Sequence, residues 1–199
     1  MDVKKKRFGR DNAENSLVIR LKDLSVNEAE YRGTFLNAWL VTELGQAPVK
    51  PKPGAELAVI LRASKQETTV LISGEMTTDL VATCSRCLSD YPFPVKSELS
   101  FVLIPKSDLL LAKKKVDETD GAVVETEASQ EDTYTGGSID PTPLIREQLL
   151  LLLPEYPVCR PDCKGLCAGC GRDLNSDACV CAPKNFDSPF AALKKLKLN

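Results

Sequence analysis

The sequence predicts an α+β protein, with an antiparallel β-sheet or meander as its core, a few short helices and a C-terminal cysteine-rich segment. Three observations carry this. Tyr91 to Ile104 alternates with a period of two, placing Phe93, Val95, Ser97, Leu99, Phe101 and Leu103 on one side, the pattern of a half-buried strand. β-Branched and aromatic residues concentrate between Glu56 and Pro105, with short breaks between the runs, as consecutive antiparallel strands require. Six of the eight cysteines lie within 23 residues, Cys159 to Cys181, after a well-capped helix signal.

Residues 1–15 read as a flexible basic tail, crowded by Lys4, Lys5, Lys6, Arg7 and Arg10 and lacking periodicity. The β-rich core is expected over 16–115. Leu17 to Leu21 suits a strand, whereas the apolar stretch 35–44 fits either a strand or a helix turn. Lys50-Pro51-Lys52-Pro53-Gly54 is a break. Leu57 to Leu61 and Thr68 to Ile72 are the next β runs, and Thr77 to Thr83 continues the sheet.

Residues 116–138 hold seven acids and no lysine or arginine. They read as an acidic disordered loop, a solvated insertion too poor in large apolar residues to pack. The remainder, 139–199, is expected to be a helix, the cysteine-rich segment and a C-terminal helix, packed on the core. Asp140 can cap the first helix and Pro141 suits its first turn. Leu144, Ile145, Leu149 and Leu152 form an apolar stripe, and Pro154 and Pro157 end the helix. Pro189 to Leu198 carries Phe190, Leu193 and Leu196 on one face.

Composition excludes several kinds of chemistry. The chain has no histidine, so it can build neither a Ser-His-Asp triad nor a Cys-His dyad, and it is expected not to be an enzyme. No apolar stretch of signal-peptide length follows the basic N-terminus, and the leucine run 149–153 is far too short to span a bilayer. These features point to a cytoplasmic protein with neither a membrane partner nor a small-molecule substrate. Cysteines in a reducing compartment favour metal ligation over disulfides.

The cysteine spacing points to zinc. Cys167-Ala-Gly-Cys170-Gly171 suits a tight turn in which backbone N–H groups face sulfur, and Cys179-Val-Cys181 supplies a second pair. Together Cys167, Cys170, Cys179 and Cys181 provide four thiolates. Cys84, Cys87, Cys159 and Cys163 could close a second tetrad, pinning the tail to the sheet. The Cys84-Ser-Arg-Cys87 pair also fits a thiol-redox site, but no helix signal follows it to lower a thiol pKa. All-cysteine tetrads are closed, so one or two structural zinc ions are expected, supplying folding free energy to a segment poor in apolar residues.

At these residues the chain resembles the bacterial YceD-like family of large ribosomal RNA subunit accumulation proteins. The resemblance rests on IDPTPLIREQLLLLLPEYPVCRPDCKGLCAGCGRDLN, the upstream CSRCL and the terminal DSPFAALKKLK, and covers roughly 16–199. Cys84, Arg86, Cys87 and Leu88 match the family's first turn. Ile139, Asp140, Arg146 and Glu147 match its helix-leading signature. Cys159, Asp162, Cys163, Gly165, Leu166, Cys167, Cys170 and Gly171 match its tail. The resemblance implies a non-enzymatic, cytoplasmic role in accumulation or maturation of large-subunit (23S) ribosomal RNA. The implied partner is that RNA, a pre-ribosomal particle or a ribosomal protein.

Leaving out 116–138, the chain has 26 basic against 21 acidic side chains, a formal +5. Arg86, Arg146, Lys164, Arg172, Lys194 and Lys195 are candidates for RNA or partner contact. Interleaved aromatics for base stacking are absent. Two readings stand beside the ribosomal one, namely a thiol-redox regulator acting through Cys84 and Cys87, and a protein–protein adaptor using the Leu144–Leu152 face.

Overall fold

A computed structural model describes residues 5–7, 17–25, 28–108, 133–176 and 179–181. The main sheet contains β1 (Lys5–Arg7), β3 (Ala29–Phe35), β4 (Val49–Pro51), β5 (Leu57–Gln66), β6 (Thr69–Thr83), β7 (Asp90–Pro105) and β8 (Thr133–Tyr134). Its order is β1-β3-β5-β6-β7-β8, with β4 joining β6 beyond the end of β5. β2 (Ile19–Arg20) pairs separately with β9 (Ser138–Ile139). Helix α1 (Asn37–Leu44) follows β3, and helix α2 (Thr142–Leu151) follows β9.

The expected antiparallel meander is present in β3-β5-β6-β7. The sheet as a whole is mixed, because β1 and β8 join in parallel. Three expectations need correction. The basic tail is not wholly outside the fold, since backbone pairing to Glu30, Tyr31 and Arg32 draws Lys5–Arg7 into the sheet. The end of the acidic segment is structured, because β8 and β9 claim Thr133–Tyr134 and Ser138. Leu17–Leu21 yields only two strand residues before the chain turns into a short 3-10 helix, Leu21–Asp23. The remaining tail residues, 116–132 and the Pro189–Leu198 helix, with Lys194 and Lys195, lie outside the described residues.

One face of the sheet makes the core. Leu57, Val59, Leu61 and Ala63 of β5 lie beside Ile72, Met76 and Leu80 of β6 and Val95, Leu99 and Leu103 of β7. α1 adds Leu40 and Leu44, and α2 adds Leu144, Ile145 and Leu149. Leu144, Ile145 and Leu149 of the α2 stripe proposed as an adaptor face are therefore buried in the core, whereas Leu152, at its end, is exposed. Asp140 Oδ1 accepts the Thr142 backbone N–H at 2.9 Å, fixing the helix start. Among the described residues, no helix is long and apolar enough to cross a membrane.

β6 and β7 form a hairpin paired along nearly its whole length, from Val70–Leu103 to Thr83–Asp90. Its continuity through mid-β6 depends on Gly74. A Cβ there would lie 2.1 Å from the Ile60 carbonyl oxygen, so no other residue fits. The hairpin carries Cys84 and Cys87 at its tip.

Candidate metal centres

The tip of the hairpin and the middle of the cysteine-rich tail contain the same local turn. Leu88 N–H donates to Cys84 O at 2.9 Å, and Gly171 N–H donates to Cys167 O at 2.8 Å. Each turn exits through a left-handed residue, Leu88 at φ 60° and Gly171 at φ 71°. Each also aims a backbone N–H at its first sulfur, Arg86 N–H to Cys84 Sγ at 3.4 Å and Gly169 N–H to Cys167 Sγ at 3.3 Å. The Cys-x-x-Cys spacing produces this geometry because two sulfurs on one turn must face the same point.

The tail docks on the hairpin tip. Pro157 O accepts both the Ser85 backbone N–H at 2.8 Å and its hydroxyl at 3.0 Å. Arg86 Nη1 donates to Pro161 O and Cys163 O, each at 3.1 Å. Leu166 N–H returns to Arg86 O at 3.1 Å, beside Gly165 at φ 72°, where an added Cβ would meet that same carbonyl at 3.0 Å.

This docking assembles two groups of four thiols. Cys84, Cys87, Cys159 and Cys163 form one, and Cys167, Cys170, Cys179 and Cys181 form the other. Within each group all sulfurs lie within 4.8 Å of one another. A tetrahedral site with metal–sulfur bonds of about 2.3 Å needs sulfurs about 3.8 Å apart. Cys84–Cys163 is 3.9 Å and Cys87–Cys159 is 3.8 Å. In the second group Cys170–Cys179 is 3.6 Å and Cys167–Cys179 is 3.3 Å. Both groups could hold a metal ion.

Electrostatics within the groups favour a cation. The Cys159 backbone N–H, with those of Cys87 and Arg86, holds Cys84 down at about 6, against the effect of burial. Hydrogen bonds from the Gly169 and Cys170 backbones, then from the Cys179 thiol, hold Cys167 down at about 6. Burial, then the Cys163, Cys84 and Cys87 thiols, push Cys159 up to about 12. The Cys179 and Cys170 side chains push Cys181 up to about 12. Four thiols this close cannot all ionise against one another, and a divalent ion removes that obstacle.

Two of the side chains expected to contact RNA, Arg86 and Arg146, are engaged within the protein, whereas Lys164 and Arg172 are exposed and contribute backbone groups to the fold. Arg86 fastens the tail, as above. Arg146 pairs with Glu43, joining α2 to α1. Lys164 lies beside the first tetrad, where its backbone N–H donates to Asn175 Oδ1 at 2.9 Å. Arg172 O accepts the Cys167 N–H at 2.8 Å within the second turn.

Sequence reasoning missed Asn175. Its Nδ2 donates to Cys163 Sγ at 3.5 Å and to Asp173 Oδ1 at 2.6 Å, while Oδ1 accepts Arg160 Nη2 at 2.9 Å. It thereby ties the segment between the knuckles to a sulfur of the other tetrad. The Asp-Leu-Asn sequence carried the only signal, a side chain able to close an Asx turn.

The family profile for large ribosomal RNA subunit accumulation protein YceD matches residues 72–197. Uncharacterized proteins of Mycobacterium bovis and Mycobacterium tuberculosis are each 34% identical over 124 residues, covering 62% of this chain and 54% of theirs. The chain thus spans about half the length of these relatives. A maize protein, large ribosomal RNA subunit accumulation protein YCED homolog 1, chloroplastic, is 40% identical over 60 residues, covering 29% of this chain and 20% of its own. No solved structure matches the chain.

Proposed function

The chain belongs to the YceD family of large ribosomal RNA subunit accumulation proteins, and on that premise we propose that it is a non-enzymatic ribosome-biogenesis factor. It supports accumulation or maturation of large-subunit ribosomal RNA in the cytoplasm, in contact with that RNA, an early particle or a ribosomal protein. Family membership is the observation that carries this reading. The absence of histidine and the closed, four-thiolate character of both candidate centres support a non-catalytic role.

Both tetrads hold structural zinc in this reading. Thiolate donors suit zinc, and the sulfur separations fit its bond lengths. The first ion staples the tail to the β6–β7 hairpin, and the second orders the knuckle beyond it. Burial of Cys84 and Cys87, 0% and 6% exposed, favours a ligand role over thiol exchange, which needs access to the sulfur.

The test is deletion of the gene with sedimentation of ribosomal particles. A large-subunit precursor defect, with the protein co-sedimenting with particles, is the expected result. Normal large-subunit ribosomal RNA and protein found only in free fractions would overturn the reading.

A further inference from the structure

β7, the longest described strand, leaves one of its edges open. Along one side it pairs with β6 from Asp90 to Leu103. On the other side β8 joins it only at Ile104 and Pro105. Among the described residues, nothing pairs with that outer edge between Asp90 and Leu103. A free edge of this length is a template for a further strand.

The ladder fixes which backbone groups point outward. Cys84 N–H donates to Ser89 O at 3.0 Å, so these two form a hydrogen-bonded pair. The β6–β7 register continues from them without a bulge, and hydrogen-bonded pairs alternate along an antiparallel ladder. Odd-numbered residues of β7 therefore bond to β6, and even-numbered residues turn their N–H and C=O to the open side. Pro92 and Pro94 are even-numbered, where a missing N–H costs the hairpin nothing. Lys96, Glu98, Ser100 and Val102 keep outward donors. Their side chains are exposed, whereas Val95, Leu99 and Leu103 alternate with them into the core.

Charge on the exposed side of this edge is unbalanced. Glu98 lies directly opposite Glu75 of β6, a destabilising like-charge pair. Lys96 approaches Glu75 at 4.0 Å. Among the described residues, no lysine or arginine lies within ion-pair distance of the Glu98 carboxylate.

We propose that β7 pairs with β7 of a second copy of this chain, antiparallel about a two-fold axis at Ser97, so that the two sheets become one. An axis there sets Lys96 opposite the partner's Glu98 and Glu98 opposite the partner's Lys96, which supplies the missing cation twice. Moving the axis by one residue either way would stack Lys96 on the partner's Lys96 or Glu98 on the partner's Glu98, so charge selects this register. Every outward donor from Lys96 to Val102 then finds an acceptor. The N–H groups of Lys96 and Glu98 meet the carbonyls of the partner's Glu98 and the partner's Lys96. Those of Ser100 and Val102 meet the carbonyls of the partner's Pro94 and the partner's Pro92. The carbonyls of Ser100 and Val102 stay with water at the rim.

The core-facing side fits the same register. Val95 falls opposite the partner's Leu99, and Phe93 opposite the partner's Phe101. Phe93 and Phe101 are only partly buried in one copy, so a cross-strand aromatic pair covers apolar surface that the free edge leaves wet. Two-fold pairing uses the same patch on both copies and closes, so it yields a dimer and not a fibre.

The test is analytical ultracentrifugation of the zinc-loaded full chain over a wide concentration range, with circular dichroism to verify the fold of each variant. The parent should form a reversible dimer. Lys96→Glu and Glu98→Lys each set like charges opposite one another at two points, and each should weaken the dimer at least about tenfold. Lys96→Glu/Glu98→Lys rebuilds both pairs with the signs exchanged and should return to within about threefold of the parent. Ser100→Pro removes an outward donor and no ladder bond, and should weaken the dimer without changing its charge. In hydrogen exchange, the Lys96, Glu98, Ser100 and Val102 amides should gain protection as concentration rises.

A parent chain that stays monomeric at its highest soluble concentration overturns the proposal. So does a dimer indifferent to the single variants, or one that the double variant fails to restore. Protection of the four amides at every concentration would mean that another segment of the same chain covers the edge, with the same consequence. Self-pairing of β7 is independent of the ribosomal reading, which gene deletion tests separately.

Discussion

The two thiol tetrads use the same donors and the same turn, yet they occupy different physical settings. In the first, Cys84, Cys87 and Cys163 are buried, whereas Cys170 and Cys181 of the second are exposed. The first joins segments far apart in sequence, Cys87 to Cys159 across 72 positions, and the second closes Cys170 to Cys179 across nine. Closing the longer loop without a cross-link costs about 2 kcal/mol more chain entropy. An ion in the first site therefore fixes the fold at large, whereas one in the second orders a local knuckle. Filled as proposed, the same set of four thiolates would serve architecture in one place and a surface element in the other.

The largest effect expected from this difference is on stability. Cys84→Ser should reduce bound zinc from about two per chain to about one and lower unfolding free energy by about 3–4 kcal/mol, the linkage for a ligand present at some hundreds of times its dissociation constant. Cys179→Ser should also remove one zinc but change global unfolding by less than about 1 kcal/mol. Metal analysis and guanidinium denaturation measure both. Equal losses from the two variants would erase the proposed distinction.

Reactivity sharpens the same contrast. Cys84 and Cys167 are both held down at about 6 by backbone N–H donors, but Cys84 is 0% exposed. With metal partly withdrawn by a mild chelator, iodoacetamide should label Cys167 at least about tenfold faster than Cys84. Since the thiolate is the reactive form, Cys167 labelling should rise as pH climbs through about 6 and level off above it, whereas an ordinary thiol continues to gain up to about 8.5. Peptide mapping by mass spectrometry reads both sites. Equal rates would mean that the tail does not seal the hairpin tip.

Arg86 offers a smaller test. Its Nη1 donates to two tail carbonyls, Pro161 O and Cys163 O, so Arg86→Lys should destabilise tail docking by about 1–2 kcal/mol, because the shorter, more strongly hydrated ammonium does not hold both bonds in the fixed plane of Nη1. Thermal unfolding of the zinc-loaded protein reports it. Unchanged stability with reduced RNA affinity would return Arg86 to the role expected from sequence.

Sequence legibility followed the strength of local periodicity. β7 was readable because its alternation persists over Tyr91–Ile104, and α2 because its stripe and its Asp140 cap coincide. β3 was not readable. Its sequence AEYRGTF places Glu30 on the solvent face, where the acid is buried between Arg32 and Arg62 and beside the β1 backbone. β1 and β8 are parallel additions too short to carry a pattern, and tertiary pairing alone creates them. The grouping of Cys167, Cys170, Cys179 and Cys181 was legible from their spacing, and that of Cys84, Cys87, Cys159 and Cys163 only as the four that remained. The cross-strand row of Arg62, Ser73 and Ser100 was not, because these residues become neighbours only through strand register.

The finest comparison concerns the two turn exits. Gly171 occupies the left-handed conformation without strain, but Leu88 does so at φ 60° while 63% exposed. A non-glycine residue there carries about 1–2 kcal/mol of backbone strain, partly offset because glycine loses more entropy on folding, about 0.5–1 kcal/mol. Leu88→Gly should therefore stabilise the zinc-loaded protein by about 0.5–1 kcal/mol, seen as a small rise in Tm. Gly171→Leu, the reverse exchange in the exposed knuckle, should weaken zinc retention there without moving global unfolding. A destabilised Leu88→Gly variant would show that the exposed leucine makes contacts worth more than the strain it bears, and that the two turns, alike in backbone, differ in what they meet.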